Sequence, residues 1–242
     1  MAPAPTDLGS LDSRRWEARL RTNPVVILPV GALEAHGPHL PLAADQIQAE
    51  ATARALAERL PDAVVAPTIP YGVCPEASRF AGTVSTPMVE LIGYARATLA
   101  EFLRMGVRRL LVLSGHAERG HMAALREAAI QAMRGQPGAR IVVLSDYDFV
   151  YELRGTHAPP TDGHAGLLET SRLLALAPDR VGPDRPVVAG RGSPFVPGPM
   201  GPDAWPESVV GDTRPASAEI GRAVQEHVLR RLVETVHALL PA

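Results

Sequence analysis

Four short apolar runs, separated by stretches with helical spacing, constrain the fold of this 242-residue chain more than any other feature. The runs are rich in Val, Ile and Leu, and each ends at or beside Gly, Pro, Ser or Asp, as buried strands do. They cover Val25–Val30, Ala63–Pro67, Arg109–Ser114 and Arg140–Ser145. Strands that alternate with helices form βαβ units, so we expect an α/β fold whose mostly parallel sheet is covered on both faces.

Helical spacing predicts the elements that separate and follow these strands. The predicted helices are Ala43–Leu60, Pro87–Met105, Ala117–Arg134, Gly166–Leu176 and Ala216–Leu239. In the second, Thr86 is the expected N-cap and Pro87 the first helical residue. Residues 181–215 are rich in Pro and Gly, and we expect a long irregular loop that shapes or covers a pocket. No linker or internal repeat divides the sequence, so a single domain over residues 1–242 is predicted.

Charge and cysteine content exclude several classes of function. The 24 basic and 26 acidic residues nearly balance, which argues against nucleic acid or a membrane surface as a partner. Lysine is absent, so a Schiff-base lysine and a phosphate-loop lysine are excluded. Cys74 is the only cysteine, which excludes an intrachain disulfide. With no signal peptide and no apolar run of about 18 residues, we expect a cytoplasmic protein.

Two pairs of possible metal ligands follow two of the predicted strands. Glu34 and His36 come after the first strand, and His116 and Glu118 after the third. Ligands of open α/β sheets collect at the carboxyl ends of strands, and residues two apart in an extended segment point the same way. A carboxylate and an imidazole directed at one spot suit zinc or manganese. Asp45 can bridge two ions with its two oxygens.

Other polar residues in these segments have simpler interpretations. His39 is expected to stabilise its loop, and His121 to be a structural residue of its helix. Asp146 and Asp148 are expected to cap a turn, and Cys74 to be a buried structural thiol. No G-x-S-x-G elbow and no phosphate-binding glycine pattern follows a strand, which leaves a metal centre as the best-supported chemistry.

Four ordered motifs resemble the creatininase (creatinine amidohydrolase) family. They are LPVGALEAHGPHLPLAAD (28–45), PEASRFAGTVS (75–85), LSGHAE (113–118) and HAGLLETS (164–171). The resemblance implies a three-layer α/β/α sandwich, a homohexamer, and a hydrolase of cyclic amides or related C–N bonds that uses two zinc or manganese ions. It further implies metal ligands and catalytic residues at specific positions. The implied ligands are Glu34, His36, Asp45, His116 and Glu118, with Asp45 bridging.

The catalytic candidates are His164 and Glu118. The resemblance implies that His164 is the acid/base serving the leaving nitrogen. Glu118, besides being an implied ligand, is expected to be needed for turnover rather than for folding. Glu169 is implied either as a ligand or as a residue that supports the ligands.

The resemblance is weaker at the substrate pocket. Creatininases carry an aromatic residue between the His and Glu of the third motif, and tryptophans close their pocket. This chain has Ala117 at that position, and its only tryptophans are Trp16 and Trp205. Tyr147 and Phe149 are candidates to stand in for the missing pocket tryptophans. In the third motif, Ser114 also replaces the usual Asn.

The sequence therefore predicts an amidohydrolase in which a metal-bridging hydroxide attacks the carbonyl carbon of a small amide, cyclic in creatininases themselves. Three alternatives stay open. The first is a formamide deformylase or a peptidase of the same family that acts on a biosynthetic intermediate. The second is a metal-dependent lactonase or esterase, and the third a non-catalytic scaffold stabilised by metal. The expected partners are a small-molecule amide and further copies of the chain.

Overall fold

A four-stranded parallel sheet forms the centre of the computed structural model, which describes residues 6–189 and 205–241. Its strands are β1 (Val25–Val30), β2 (Ala63–Val65), β3 (Arg109–Ser114) and β4 (Arg140–Ser145). They lie in the order β2-β1-β3-β4. Three strands have the predicted bounds, and β2 ends two residues before the predicted end. In register, Val30 pairs with Ser114, and Ser114 with Ser145, so the carboxyl ends of three strands lie level.

The five predicted helices are all present and agree with the observed bounds to within two residues at each end. Among the described residues the helices are α1 (Ser13–Leu20), α2 (Ala44–Arg59), α3 (Met88–Arg104), α4 (Arg119–Met133), α5 (Tyr147–Val150), α6 (Leu167–Leu176) and α7 (Ala218–Leu239). The prediction lacks the short α5 and also α1, which Asp12 caps by accepting the Arg15 N–H at 2.9 Å. The predicted start of α3 is wrong by one residue, because Pro87 is extended and is itself the N-cap. None of the described helices has the length and apolar character of a membrane span.

Apolar clusters on the two faces of the sheet confirm the predicted α/β/α sandwich. On one face, Val26 and Leu28 of β1 pack against α3 and α4. On the other face, Val25 and Ile27 pack against α2, α6 and α7. Successive residues of a strand point to opposite faces, so a strand that is apolar throughout needs helices on both sides. The polar loops are therefore confined to the ends of the strands.

The predicted loop over residues 181–215 holds a small piece of regular structure. Strands β5 (Val187–Val188) and β6 (Gly211–Asp212) pair antiparallel. The central part of this predicted loop, residues 190–204, lies outside the described residues. The pairing fixes the two flanks of the segment to each other, close to the start of α6.

Candidate metal centre

The level carboxyl ends of β1 and β3 bring five ionisable side chains together. Glu34 and His36 lie in the loop after β1, and His116 lies two residues beyond β3. Asp45 comes from the first turn of α2, and Glu169 from the first turn of α6. None of the five is more than 5% exposed. Three carboxylates buried at one place need compensating positive charge, because an unpaired buried charge is very costly.

Two overlapping groups of ligand atoms form around Asp45. Glu34, Asp45 and His116 make one group and His36, Asp45 and Glu169 the other, with the ligand atoms of each group within 4.8 Å of one another. His116 Nδ1 lies 3.1 Å from Asp45 Oδ2, and His36 Nε2 lies 3.3 Å from Asp45 Oδ1. Each Asp45 oxygen thus faces a different group, which is the placement needed for a carboxylate that bridges two ions.

Backbone carbonyls fix the tautomer of both imidazoles. His36 Nδ1 donates to the Glu34 carbonyl oxygen, and His116 Nε2 donates to the Val73 carbonyl oxygen, both at 2.9 Å. A carbonyl oxygen only accepts, so the hydrogen of each neutral imidazole sits on the nitrogen that faces the carbonyl. His36 Nε2 and His116 Nδ1 are left with bare lone pairs toward the carboxylates. Histidines that bind metals are held in this way.

Three buried atoms of these groups have no hydrogen-bond partner within the described part of the chain. They are Glu34 Oε2, His36 Nε2 and Asp45 Oδ2. Buried polar atoms in folded proteins are nearly always hydrogen-bonded, so three such atoms in one cluster need an explanation. Two divalent cations, one at each group, would satisfy all of them. Mixed carboxylate and imidazole donors fit zinc or manganese.

The buried carboxylates and imidazoles of the centre shift one another's pKa values. Burial raises the pKa of the Asp45 carboxyl, but His36 and His116 hold that pKa well below its usual range. Burial likewise acts to raise the pKa of Glu169, while His36 lowers it to about 2. Burial lowers the pKa of His116, yet Glu34 and Asp45 raise it to about 10. A metal ion therefore competes with protons for the imidazole nitrogens.

Glu118 lies outside both groups of ligand atoms. Its Oε2 accepts the backbone N–H of His121 at 2.6 Å, which makes Glu118 the N-cap of α4. The side chain still lines the cavity next to Glu34 and His116. The structure thus brings four of the five predicted ligands together and places the fifth beside them as a helix cap. Glu169, which the sequence leaves between two roles, joins the second group.

His164 forms a wall of the cavity that covers the centre. Its Nε2 donates to the Ala35 carbonyl oxygen at 2.8 Å, which leaves Nδ1 bare and 4.0 Å from Glu34 Oε2. The ring packs between His36 and Trp205, with centroid distances of 4.2 and 4.7 Å. Glu34, His36 and His164 also make a third group of possible ligand atoms. His164 has 20% of its side chain exposed, against 6% for His116 and 1% for His36, so it is the most exposed of these three histidines.

The cavity has a volume of about 230 Å³ and a mixed polar and aromatic wall. Trp205 lies in this wall, so the expectation that the pocket lacks a tryptophan is wrong. Val210 lines it too, and both residues belong to the predicted loop over 181–215. Of the two candidate aromatic substitutes, Tyr147 lines the cavity, whereas Phe149 packs into the apolar core.

Gln48 supports the second group, and the sequence interpretation does not include it. Its Nε2 donates to Glu169 Oε1 at 2.9 Å, and its Oε1 accepts the Tyr147 hydroxyl at 3.1 Å. Gln48 follows Asp45 by three positions in α2, so the two side chains share a helix face. That spacing is a signal from which Gln48 could have been predicted. Glu76 also lines the cavity, and no sequence signal indicates it.

The two aspartates after β4 have different roles. Asp148 Oδ2 accepts the Ser145 N–H at 3.1 Å, so it caps a turn as predicted. The same prediction is wrong for Asp146, which pairs with Arg172 at 2.5 Å while both side chains are fully buried. The pair joins the end of β4 to α6, the helix that carries Glu169. His39, expected to stabilise its loop, bonds through Nε2 to the Thr170 hydroxyl at 2.8 Å.

Two glycines let the first turn of α2 approach the ends of the strands. A Cβ atom at Gly115 would lie 2.1 Å from the Asp45 carbonyl oxygen, and one at Gly31 would lie 2.7 Å from Gln46 Cα. Only a residue without a side chain leaves room for such backbone contacts. Gly31 and Gly115 therefore set the distance between Asp45 and the loops that carry the other ligands.

A family model for creatininase, described as creatinine amidohydrolase, matches residues 10–236. The chain belongs to the creatininase family. Its similarity to a creatinine amidohydrolase of Pseudomonas putida is 31% identity over 257 aligned positions, which cover 97% of each chain. A mycofactocin precursor peptide peptidase of Mycolicibacterium smegmatis is 35% identical over 206 residues, 79% of this chain and 72% of the peptidase.

The fold of this creatininase-family chain matches that of a solved creatininase in its manganese form. The TM-score is 0.89 at 28% identity, and the match covers 98% of this chain and 100% of the other. Family membership makes the chain a hydrolase of the creatininase type. The parallel sheet, and with it the carboxyl edge that carries the centre, is common to both structures.

Gly115→Ala tests how the glycine after β3 positions Asp45 in this creatininase-family site. The added methyl group must push the first turn of α2 away, so we expect a loss of about 1–3 kcal/mol in the free energy of unfolding and weaker zinc binding. Gly93→Ala is the matched control, because a Cβ atom there meets nothing within 4 Å. Urea unfolding and zinc titration against a chelator measure both effects. Wild-type zinc affinity in Gly115→Ala would contradict this account.

Proposed function

We propose that this chain is a dinuclear-metal amidohydrolase that cleaves a C–N amide bond of a small substrate. The observation that carries the proposal is the position of Asp45, whose two oxygens face two different ligand groups. Solved creatininases in manganese and Zn–Zn forms support these two metals for this chain. The chain is proposed to work as a homo-oligomer of single-domain subunits, a hexamer as the family resemblance implies.

Glu34, Asp45 and His116 are proposed to hold one ion, and His36, Asp45 and Glu169 the other. Glu118 remains a proposed ligand and catalytic residue, because its carboxylate borders the cavity. Its Oε2 accepts the His121 N–H, so it would bind an ion through Oε1 or by giving up that contact. When bound, the two ions would lower the pKa of a water molecule and stabilise negative charge on the amide oxygen.

His164 is proposed to carry the proton from the attacking water to the leaving nitrogen. The bond from Nε2 to the Ala35 carbonyl keeps that nitrogen protonated, so Nδ1 is free to accept and return a proton. Trp205 packs against the ring and fixes its orientation. Water and the amide are then converted into a carboxylic acid and an amine, which ionise to a carboxylate and an ammonium, so atoms and charge balance.

The cavity limits the size of the group that is cleaved. A volume of about 230 Å³ admits a small amide or the end of a peptide, and Ala117 leaves space where creatininases carry an aromatic residue. Relatives that act on creatinine and on a precursor peptide are both similar to this chain. Hydrolysis at a peptide end is therefore the second candidate function, favoured by the smaller Ala117 side chain.

A hydrolysis screen on zinc-loaded and manganese-loaded protein tests the proposal. The substrates are creatinine, cyclic ureides, formamides and short peptides, with product amines detected by mass spectrometry. We expect turnover of at least one amide, its loss after chelation, and its return when metal is restored. Cleavage of lactones or esters alone would favour the esterase alternative. No turnover of any amide by protein with metal bound would refute the proposal.

His164→Gln tests the proton carrier on whichever amide the screen identifies. We expect kcat to fall by about 10²–10⁴-fold while metal content measured by mass spectrometry stays at the wild-type value. His237→Gln, at an exposed position of α7, is the control and is expected to match the wild type. If His164→Gln loses metal instead, the residue is a ligand, and the assignment as proton carrier fails.

A further inference from the structure

Behind His116 lies a second buried histidine that the proposed chemistry does not use. His121, in the first turn of α4, is fully buried. Its ring meets the His116 ring edge to face, with centroids 4.9 Å apart. A Cβ atom at Gly72 would lie 2.8 Å from the His121 ring, so the ring fills its space closely.

Both ring nitrogens of His121 take part in hydrogen bonds. Nδ1 accepts the backbone N–H of Val73 at 3.2 Å, which places the ring hydrogen on Nε2. Nε2 then donates to the Ser114 hydroxyl at 3.1 Å. Val73 is thereby held by two histidines, because its N–H bonds to His121 while its carbonyl oxygen accepts from His116 Nε2 at 2.9 Å.

Ser114 holds the backbone of His116. Its hydroxyl donates to the His116 carbonyl oxygen at 2.7 Å and accepts the His116 N–H at 3.1 Å. Ser114 replaces the Asn that is usual in the creatininase motif. His121 thus contacts both anchors of His116, namely Val73 at the ring and Ser114 at the backbone.

We propose that His121 is a positioning residue that, together with Ser114, fixes the tautomer and orientation of the His116 imidazole for metal binding. The inference rests on the proposed function only in so far as His116 is a ligand. Its effect is specific to one ion, because His36 is held by the Glu34 carbonyl, to which His121 makes no hydrogen bond within the described residues. Loss of His121 therefore weakens the Glu34, Asp45 and His116 group and spares the group around His36.

His121→Phe keeps a buried ring and removes both nitrogens. Partners that orient a ligand are worth about 10–100-fold in metal affinity, so we expect that loss for one ion and wild-type affinity for the other. The free zinc concentration is buffered between the dissociation constants of the affected position in wild type and in the variant. Wild type then holds two ions per chain and the variant one. Cobalt-loaded variant should lose the d–d absorption of one ion. His121→Gln, which keeps a donor and an acceptor, is expected to recover part of the affinity.

Met122→Leu, at the next buried position of α4, is the packing control and should bind both ions as wild type does. Should His121→Phe fail to fold, Ser114→Ala removes the other half of the pair and is expected to lose the same ion. Two ions bound with wild-type affinity in the folded variants would overturn the inference. So would an equal loss at both positions together with a lower unfolding free energy of the metal-free protein. Wild type that binds fewer than two ions would instead refute the proposed function itself.

Discussion

Both candidate ion positions depend on the carboxylate of Asp45. Its two oxygens lie near His116 and His36, and it is buried together with the carboxylates of Glu34 and Glu169. Burying three carboxylates together costs free energy unless a cation compensates their negative charge. The backbone places Asp45 at this position because the glycines after β1 and β3 leave room for the first turn of α2 next to the edge of the sheet.

The protein's contribution to the centre is to hold the donor atoms in place before an ion arrives. Carbonyl oxygens select the tautomers of His36 and His116, and Gln48 holds Glu169 through a bond that continues to Tyr147. Loss of such an outer contact typically lowers metal affinity by about 10–100-fold. His164 is more exposed than His36 and His116, and the proposed function assigns it proton transfer rather than metal binding.

Much of this arrangement is predictable from the sequence. Apolar runs indicate the strands and their alternation with helices, and the polar residues after β1 and β3 indicate three of the candidate ligands, Glu34, His36 and His116. Helices α1 and α5 are missing from the prediction because both are short, and in α1 only Trp16 and Leu20 pack against the core, where they are partly buried. Glu118 is ambiguous because the same carboxylate can cap a helix or bind a metal ion. Trp205 and the Asp146–Arg172 pair could not be found, since contacts across irregular or distant segments leave no periodic signal.

The most direct test of the two-ion centre is anomalous diffraction from zinc-loaded crystals at wavelengths on either side of the zinc absorption edge. The account predicts two anomalous peaks about 3.5–4 Å apart on either side of the Asp45 carboxylate. One peak should lie beside Glu34 and His116, and the other beside His36 and Glu169. A single peak at this edge of the sheet, or peaks that do not contact Asp45, would contradict it.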